Sequence, residues 1–137
     1  MKSTTSVKIA GGFSFFFFLF HIPFYWMFDW KHNLSCLSPE NWAIMMCFNI
    51  ITIVLLLFMS YASLLQTAEM VHTRLGKTFL LFSAWFYFFR ITAEFLFFDA
   101  PDPIVSTSII TLCLIPALGY SIPLFQRSPK DKDLSSL

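Results

Sequence analysis

Residues 78–98 read TFLLFSAWFYFFRITAEFLFF and carry two opposite charges, Arg90 and Glu94, inside an otherwise apolar run. The run has 21 residues, and about 20 apolar residues are enough for an α-helix to cross the hydrocarbon core of a bilayer. A charged side chain at the centre of such a helix costs about 2.5–3.5 kcal/mol on insertion scales, so it normally faces protein or water. The stretch therefore predicts a membrane helix whose charged pair turns towards other helices.

The composition of the whole chain is typical of a membrane protein. Of its 137 residues, 57% are hydrophobic and 12% are charged, and 19 are Phe. A soluble domain of this size needs more charge to cover its surface. A net charge of +1 and the lack of a basic patch give no argument for nucleic acid, so we expect none as a partner. The three cysteines and three histidines form no metal-ligand spacing, so we expect neither a metal nor a cofactor.

Three further apolar runs have a similar length, so four membrane spans are predicted, at residues 9–28, 42–65, 78–98 and 104–125. They must be helical because lipid offers no partners for free backbone groups. The sequence Ser38-Pro39-Glu40 predicts the start of the second span. The fold class is an all-α, membrane-embedded antiparallel four-helix bundle over residues 1–126, followed by a disordered polar tail over 127–137. Pro23 and Pro116 are expected to kink their helices.

The positions of lysine and arginine predict the orientation of the bundle. One group of connections, formed by the N-terminus, the middle loop and the tail, holds Lys2, Lys8, Arg74, Lys77, Arg127, Lys130 and Lys132, whereas the two other loops hold only Lys31. Basic residues stay on the cytoplasmic side of a membrane. Both termini are therefore predicted to be cytoplasmic, in the cell membrane, with Trp26, Trp30 and Trp42 at the outer interface.

Each of the four spans has a polar residue at a similar depth. Counting about 1.5 Å per residue from the middle of each predicted span places His21, Asn49, Arg90, Glu94 and Thr111 in the outer half of the membrane. The predicted site, a cavity that opens outwards and holds a ligand or an ion pathway, consists of His21, Asn49, Tyr87, Arg90, Glu94 and Thr111. Small residues, among them Gly11, Ser14, Ser63 and Gly119, occupy the cytoplasmic half, where they let helices approach closely.

Two functional interpretations follow from this pattern. The first is a small multi-pass membrane protein that binds lipid, a small ligand or another membrane protein in its polar cavity. The alternative is a proton- or ion-coupled channel or transporter subunit that uses His21, Arg90 and Glu94 and works as a homo-oligomer or in a complex. A purely structural ion pair is the competing interpretation of Arg90 and Glu94. No catalytic motif is present, so we expect no enzyme activity.

Overall fold

Seven helices make up the chain in a computed structural model that describes residues 3–97 and 103–126. They are α1 (Ser3–His21), α2 (Phe24–Met27), α3 (Trp30–Asn33), α4 (Pro39–Leu65), α5 (Thr67–His72), α6 (Arg74–Phe97) and α7 (Pro103–Phe125). No strand occurs in the described part of the chain. Four helices, α1, α4, α6 and α7, are long and apolar enough to cross a membrane. They indicate a multi-pass membrane protein.

The first predicted span differs most from the observed helix. We predicted residues 9–28, but α1 begins at Ser3 and ends at His21. Pro23 does not kink a continuous helix; α1 ends before it, because proline has no N–H to donate and disfavours helix at the preceding residue. Two single-turn helices, α2 and α3, follow instead.

The other spans lie close to the predicted ranges. The predicted cap of α4 is confirmed: the Ser38 hydroxyl accepts a hydrogen bond from the Asn41 N–H at 3.4 Å, and Pro39 is the first helical residue. Pro116 lies within α7 without ending it. The predicted end of the third span, at residue 98, and the predicted tail over 127–137 lie outside the described residues.

The long helices pack mainly through α1 and α7. Helix α1 packs against both α4 and α7, and α7 packs against α6. The short α5 packs against α6 and α1. Helices α4 and α6 meet through the rings of Phe58 and Phe79, whose centroids are 5.5 Å apart. The core therefore lies between the four long helices.

Burial divides these helices into two halves. We call the closed half the parts formed by residues 3–17, 56–65, 74–87 and 113–126, and the open half the parts formed by residues 18–21, 39–55, 88–97 and 103–112. Every buried residue of α4 lies between Leu56 and Ser63, and every buried residue of α7 lies between Cys113 and Pro123. Among the described residues of the open half, only Glu94 is buried.

Close helix contacts in the closed half depend on glycine. A Cβ atom added at Gly11 would lie 2.7 Å from the Cβ of Ser63, and one added at Gly119 would lie 2.9 Å from the Cβ of Ala10. Carbon atoms that are not bonded do not approach so closely. These glycines therefore allow α1 to touch α4 on one side and α7 on the other.

Gly11 and Gly12 offer a matched pair of substitutions. Gly11→Ala is expected to destabilise the protein by about 1–2 kcal/mol, because the added methyl group forces α1 away from α4. Gly12→Ala meets nothing within 4 Å and is expected to be neutral or to stabilise slightly, by about 0.5 kcal/mol, through the helix propensity of alanine. Titration with a denaturing detergent in mixed micelles measures both; equal effects would contradict the close contact.

Candidate functional site: a charged pair and a buried hydroxyl cluster

The charged pair lies one turn apart on α6. Arg90 Nη1 is 2.8 Å from Glu94 Oε2, which makes a local salt bridge within the helix. The Glu94 side chain is 5% exposed, whereas that of Arg90 is 34% exposed. Helical residues at positions i and i+4 are neighbours on one face, which is why the pair can form. The acid is thus enclosed by protein, and its basic partner reaches the surface.

Two other predicted residues join α1 to α4 in the same half. The Asn49 side chain donates a hydrogen bond of 3.4 Å from Nδ2 to the backbone carbonyl of His21, the last residue of α1. The His21 ring bonds through Nδ1 to the Phe17 carbonyl at 2.8 Å and stacks on the ring of Phe24. Asn49 therefore satisfies a carbonyl that the end of α1 leaves without a helical partner.

Two further groups lie near enough to the charged pair for electrostatic interaction. Arg90 lies within electrostatic range of His21, and both Arg90 and Glu94 lie within range of Cys113 on α7. The structure thus brings His21, Asn49, Arg90 and Glu94 from three helices into one region, and α7 contributes Cys113.

The two remaining predicted residues lie elsewhere. Thr111 is exposed, donates only to the Thr107 carbonyl of its own helix among the hydrogen bonds seen, and lies along an open groove on the surface of α7. At 100° per residue, Thr111 lies about 160° around α7 from Cys113. It is therefore on the opposite side of the helix. Tyr87 is buried, but in the closed half, where it bonds to α1.

A cluster of four buried hydroxyl groups surrounds Tyr87, with one group from each long helix. Its members, Ser14 of α1, Ser63 of α4, Tyr87 of α6 and Tyr120 of α7, are called the hydroxyl cluster below. Ser14 Oγ is 2.9 Å from the Tyr87 hydroxyl and 2.8 Å from the Tyr120 hydroxyl, and Ser63 Oγ is 3.0 Å from the Tyr120 hydroxyl. All four side chains are at most 2% exposed.

The direction of each hydrogen bond in the hydroxyl cluster follows from counting protons. Ser14 Oγ is 3.1 Å from the Ala10 carbonyl, which can only accept, so the Ser14 proton is used there. Both tyrosines must then donate to Ser14, filling its two lone pairs, and Ser63 donates to Tyr120. Four donors make four bonds, and none is left over. Ser14 is the acceptor on which the network depends.

The hydroxyl cluster is not among the features that the sequence predicts. The sequence predicts Ser14 and Ser63 as small packing residues, and it predicts no role for Tyr120. One available signal was depth: on a rise of about 1.5 Å per residue, Ser14 and Tyr120 fall about 7 Å and 8 Å to the cytoplasmic side of their predicted midplanes. Which faces of two helices meet cannot be obtained from depth.

Comparison with protein-family models, with curated proteins and with solved structures finds no match for this chain. Function is therefore inferred from the residues and their packing.

Proposed function

We propose that this chain is an antiparallel four-helix membrane protein with both termini on the cytoplasmic side of the cell membrane. Support for the helix directions comes from contacts at both ends. Ser3 bonds to Gln126 and Ser14 to Tyr120, which pairs the start of α1 with the end of α7. His21 bonds to Asn49 while Gly11 approaches Ser63, which pairs α1 with α4 in opposite directions. The lysine and arginine distribution supports the orientation.

Within this bundle, we propose that the open half binds a membrane lipid through its polar headgroup. One observation carries this proposal. Among the described residues of the open half, the one buried side chain is that of Glu94, whose carboxyl group is paired with the partly exposed Arg90. Charged residues at membrane depth are expensive to keep and are often functional. A guanidinium group matches the geometry of a phosphate. The parts of α4 and α7 in the open half bury no side chain.

The proposed function is binding, without catalysis. A small ligand or another membrane protein, including a second copy of this chain, is the competing occupant of the same region. Each would meet the same chemistry: a guanidinium and carboxylate pair, the Asn49 amide and an apolar surround. Lipid is preferred because the parts of α4 and α7 in the open half bury no side chain, which leaves their surfaces for acyl chains.

A proton- or ion-coupled channel or transporter subunit is the second candidate. One observation favours it. The titratable His21 of α1 and the charged Arg90 of α6 lie within electrostatic range of each other. Against a pore through one copy, the hydroxyl cluster bonds directly across all four helices in the closed half. Transport would therefore require an assembly of several copies or a partner.

Native mass spectrometry in a mild detergent tests the lipid proposal. The wild-type chain is expected to retain a phospholipid, and Arg90→Lys to retain about ten-fold less, because lysine keeps the charge but loses the forked geometry that binds phosphate. Thr92→Val is the control, since Thr92 is exposed on the same helix and bonds only to the Phe88 carbonyl among the bonds seen.

Equal lipid retention by wild type, Arg90→Lys and Thr92→Val would contradict the lipid proposal. A defined homo-oligomer without bound lipid, together with proton flux in liposomes that Arg90→Lys abolishes, would support the second candidate instead.

A further inference from the structure

Helix α1 is long and apolar enough to cross a membrane, and it ends at His21. At a rise of about 1.5 Å per residue its 19 residues cover about 28 Å, close to the roughly 30 Å of hydrocarbon. With its N-terminal turns at one interface, the end of α1 therefore lies near the other.

Residues 22–34, called the interfacial segment here, continue the chain from that point. Neither α2 nor α3 has a buried residue. The side chains that the segment exposes near its start are large and apolar, namely Ile22, Trp26, Met27 and Phe28. Trp26 is 73% exposed. In water such a surface would be unfavourable, whereas amphipathic aromatic side chains settle in the headgroup layer of a membrane.

More than half of the backbone N–H groups of the interfacial segment donate to carbonyl groups within it. Donors at residues 26–29 and 32–34 bond to carbonyl groups within the segment, at 2.8–3.2 Å. The Asn33 side chain adds a bond to the Phe28 carbonyl at 2.8 Å. Backbone near lipid must be satisfied in this way, because little water is present to replace the bonds.

Charged groups mark the side of the interfacial segment that faces water. Asp29 and His32 form an exposed pair at 2.7 Å, next to the exposed Lys31. The first of them, Asp29, comes directly after Phe28, so the segment changes there from mainly apolar to mainly charged.

We propose that the interfacial segment is a membrane-surface anchor that lies in the lipid headgroup layer, with Ile22, Trp26, Met27 and Phe28 directed at the upper ends of the acyl chains. The occupant of this surface is the bilayer itself, since the segment continues directly from a helix that is apolar enough to span it. The proposal depends on membrane insertion of α1 and not on lipid binding at Arg90.

Depth-dependent fluorescence quenching tests the anchor in the full chain, reconstituted into phosphatidylcholine vesicles. Replacing Trp30, Trp42 and Trp85 by Phe leaves Trp26 as the single fluorophore, and a matched variant keeps only Trp85, which lies at the middle of α6. Lipids brominated near the glycerol end of the acyl chain are expected to quench Trp26 about two-fold more strongly than lipids brominated near the methyl end. Trp85 is expected to show the opposite order.

Two results would overturn the anchor. Strong quenching of Trp26 by aqueous iodide, with none by brominated lipid, would place the segment in water. Quenching with the same depth profile as Trp85 would place it inside a membrane span. Helical circular dichroism equal to that of the wild type checks that the Phe substitutions leave the fold intact.

Discussion

Arg90→Ala is expected to lower the free energy of unfolding by about 3 kcal/mol, because it leaves the Glu94 carboxylate buried without its ion-pair partner. Glu94→Ala is expected to cost about 1 kcal/mol. The Arg90 side chain is one-third exposed, so it can extend towards the polar interface of the membrane. The order of the two losses follows from the difference in burial. Titration with a denaturing detergent in mixed micelles measures both values.

The double variant Arg90→Ala/Glu94→Ala separates pairing from other effects of the substitutions. It is expected to recover most of the stability lost in Arg90→Ala, because no charge remains buried. Thr92→Val, on the exposed face of the same helix, is the control and should change stability little. Equal losses for Arg90→Ala and the double variant would show that the pairing adds nothing.

Ser14→Ala is expected to lower the free energy of unfolding by about 2 kcal/mol, because it leaves the hydroxyl groups of Tyr87 and Tyr120 without their acceptor. A buried donor without a partner costs about 1–3 kcal/mol. Hydrogen bonds between membrane helices average only about 0.6 kcal/mol, since the unfolded chain in lipid also finds partners. Because two hydroxyl groups lose their acceptor at once, the expected loss is larger than the membrane average for one bond and lies at the lower end of the cost of two unpaired donors.

The position of each group in the hydroxyl cluster predicts the order of the losses. Tyr120→Phe removes the acceptor of Ser63 and should cost about 1 kcal/mol, whereas Tyr87→Phe removes a donor on which nothing else depends and should cost about 0.5 kcal/mol.

Ser6→Ala is the control for the Ser14 series. Ser6 is as buried as Ser14 and lies on the same helix, but its hydroxyl donates to the Ser3 carbonyl of α1 itself. Its replacement should leave stability nearly unchanged. A loss in Tyr87→Phe as large as that in Ser14→Ala would contradict the proposed direction of the bonds. The same detergent titration measures the whole series.

Which segments are helical and apolar follows from the amino-acid sequence alone. The four long helices follow from run length and from the need to satisfy the backbone in lipid, and the start of α4 follows from Ser38 and Pro39. The salt bridge of Arg90 with Glu94 is also local, because residues four apart on a helix are neighbours in any fold. These features depend on contacts close in sequence.

Which helix faces meet depends on the packing of the helices in three dimensions. In a chain that is apolar on all sides, hydrophobic periodicity does not distinguish a face that contacts lipid from one that contacts protein. For this reason the sequence does not predict the position of Thr111 correctly: it is expected to line the site but is exposed on α7. Ser14, Ser63 and Tyr120 instead converge on Tyr87. Their convergence depends on close approach at Gly11 and Gly119, which is a property of helix pairs and not of any one helix.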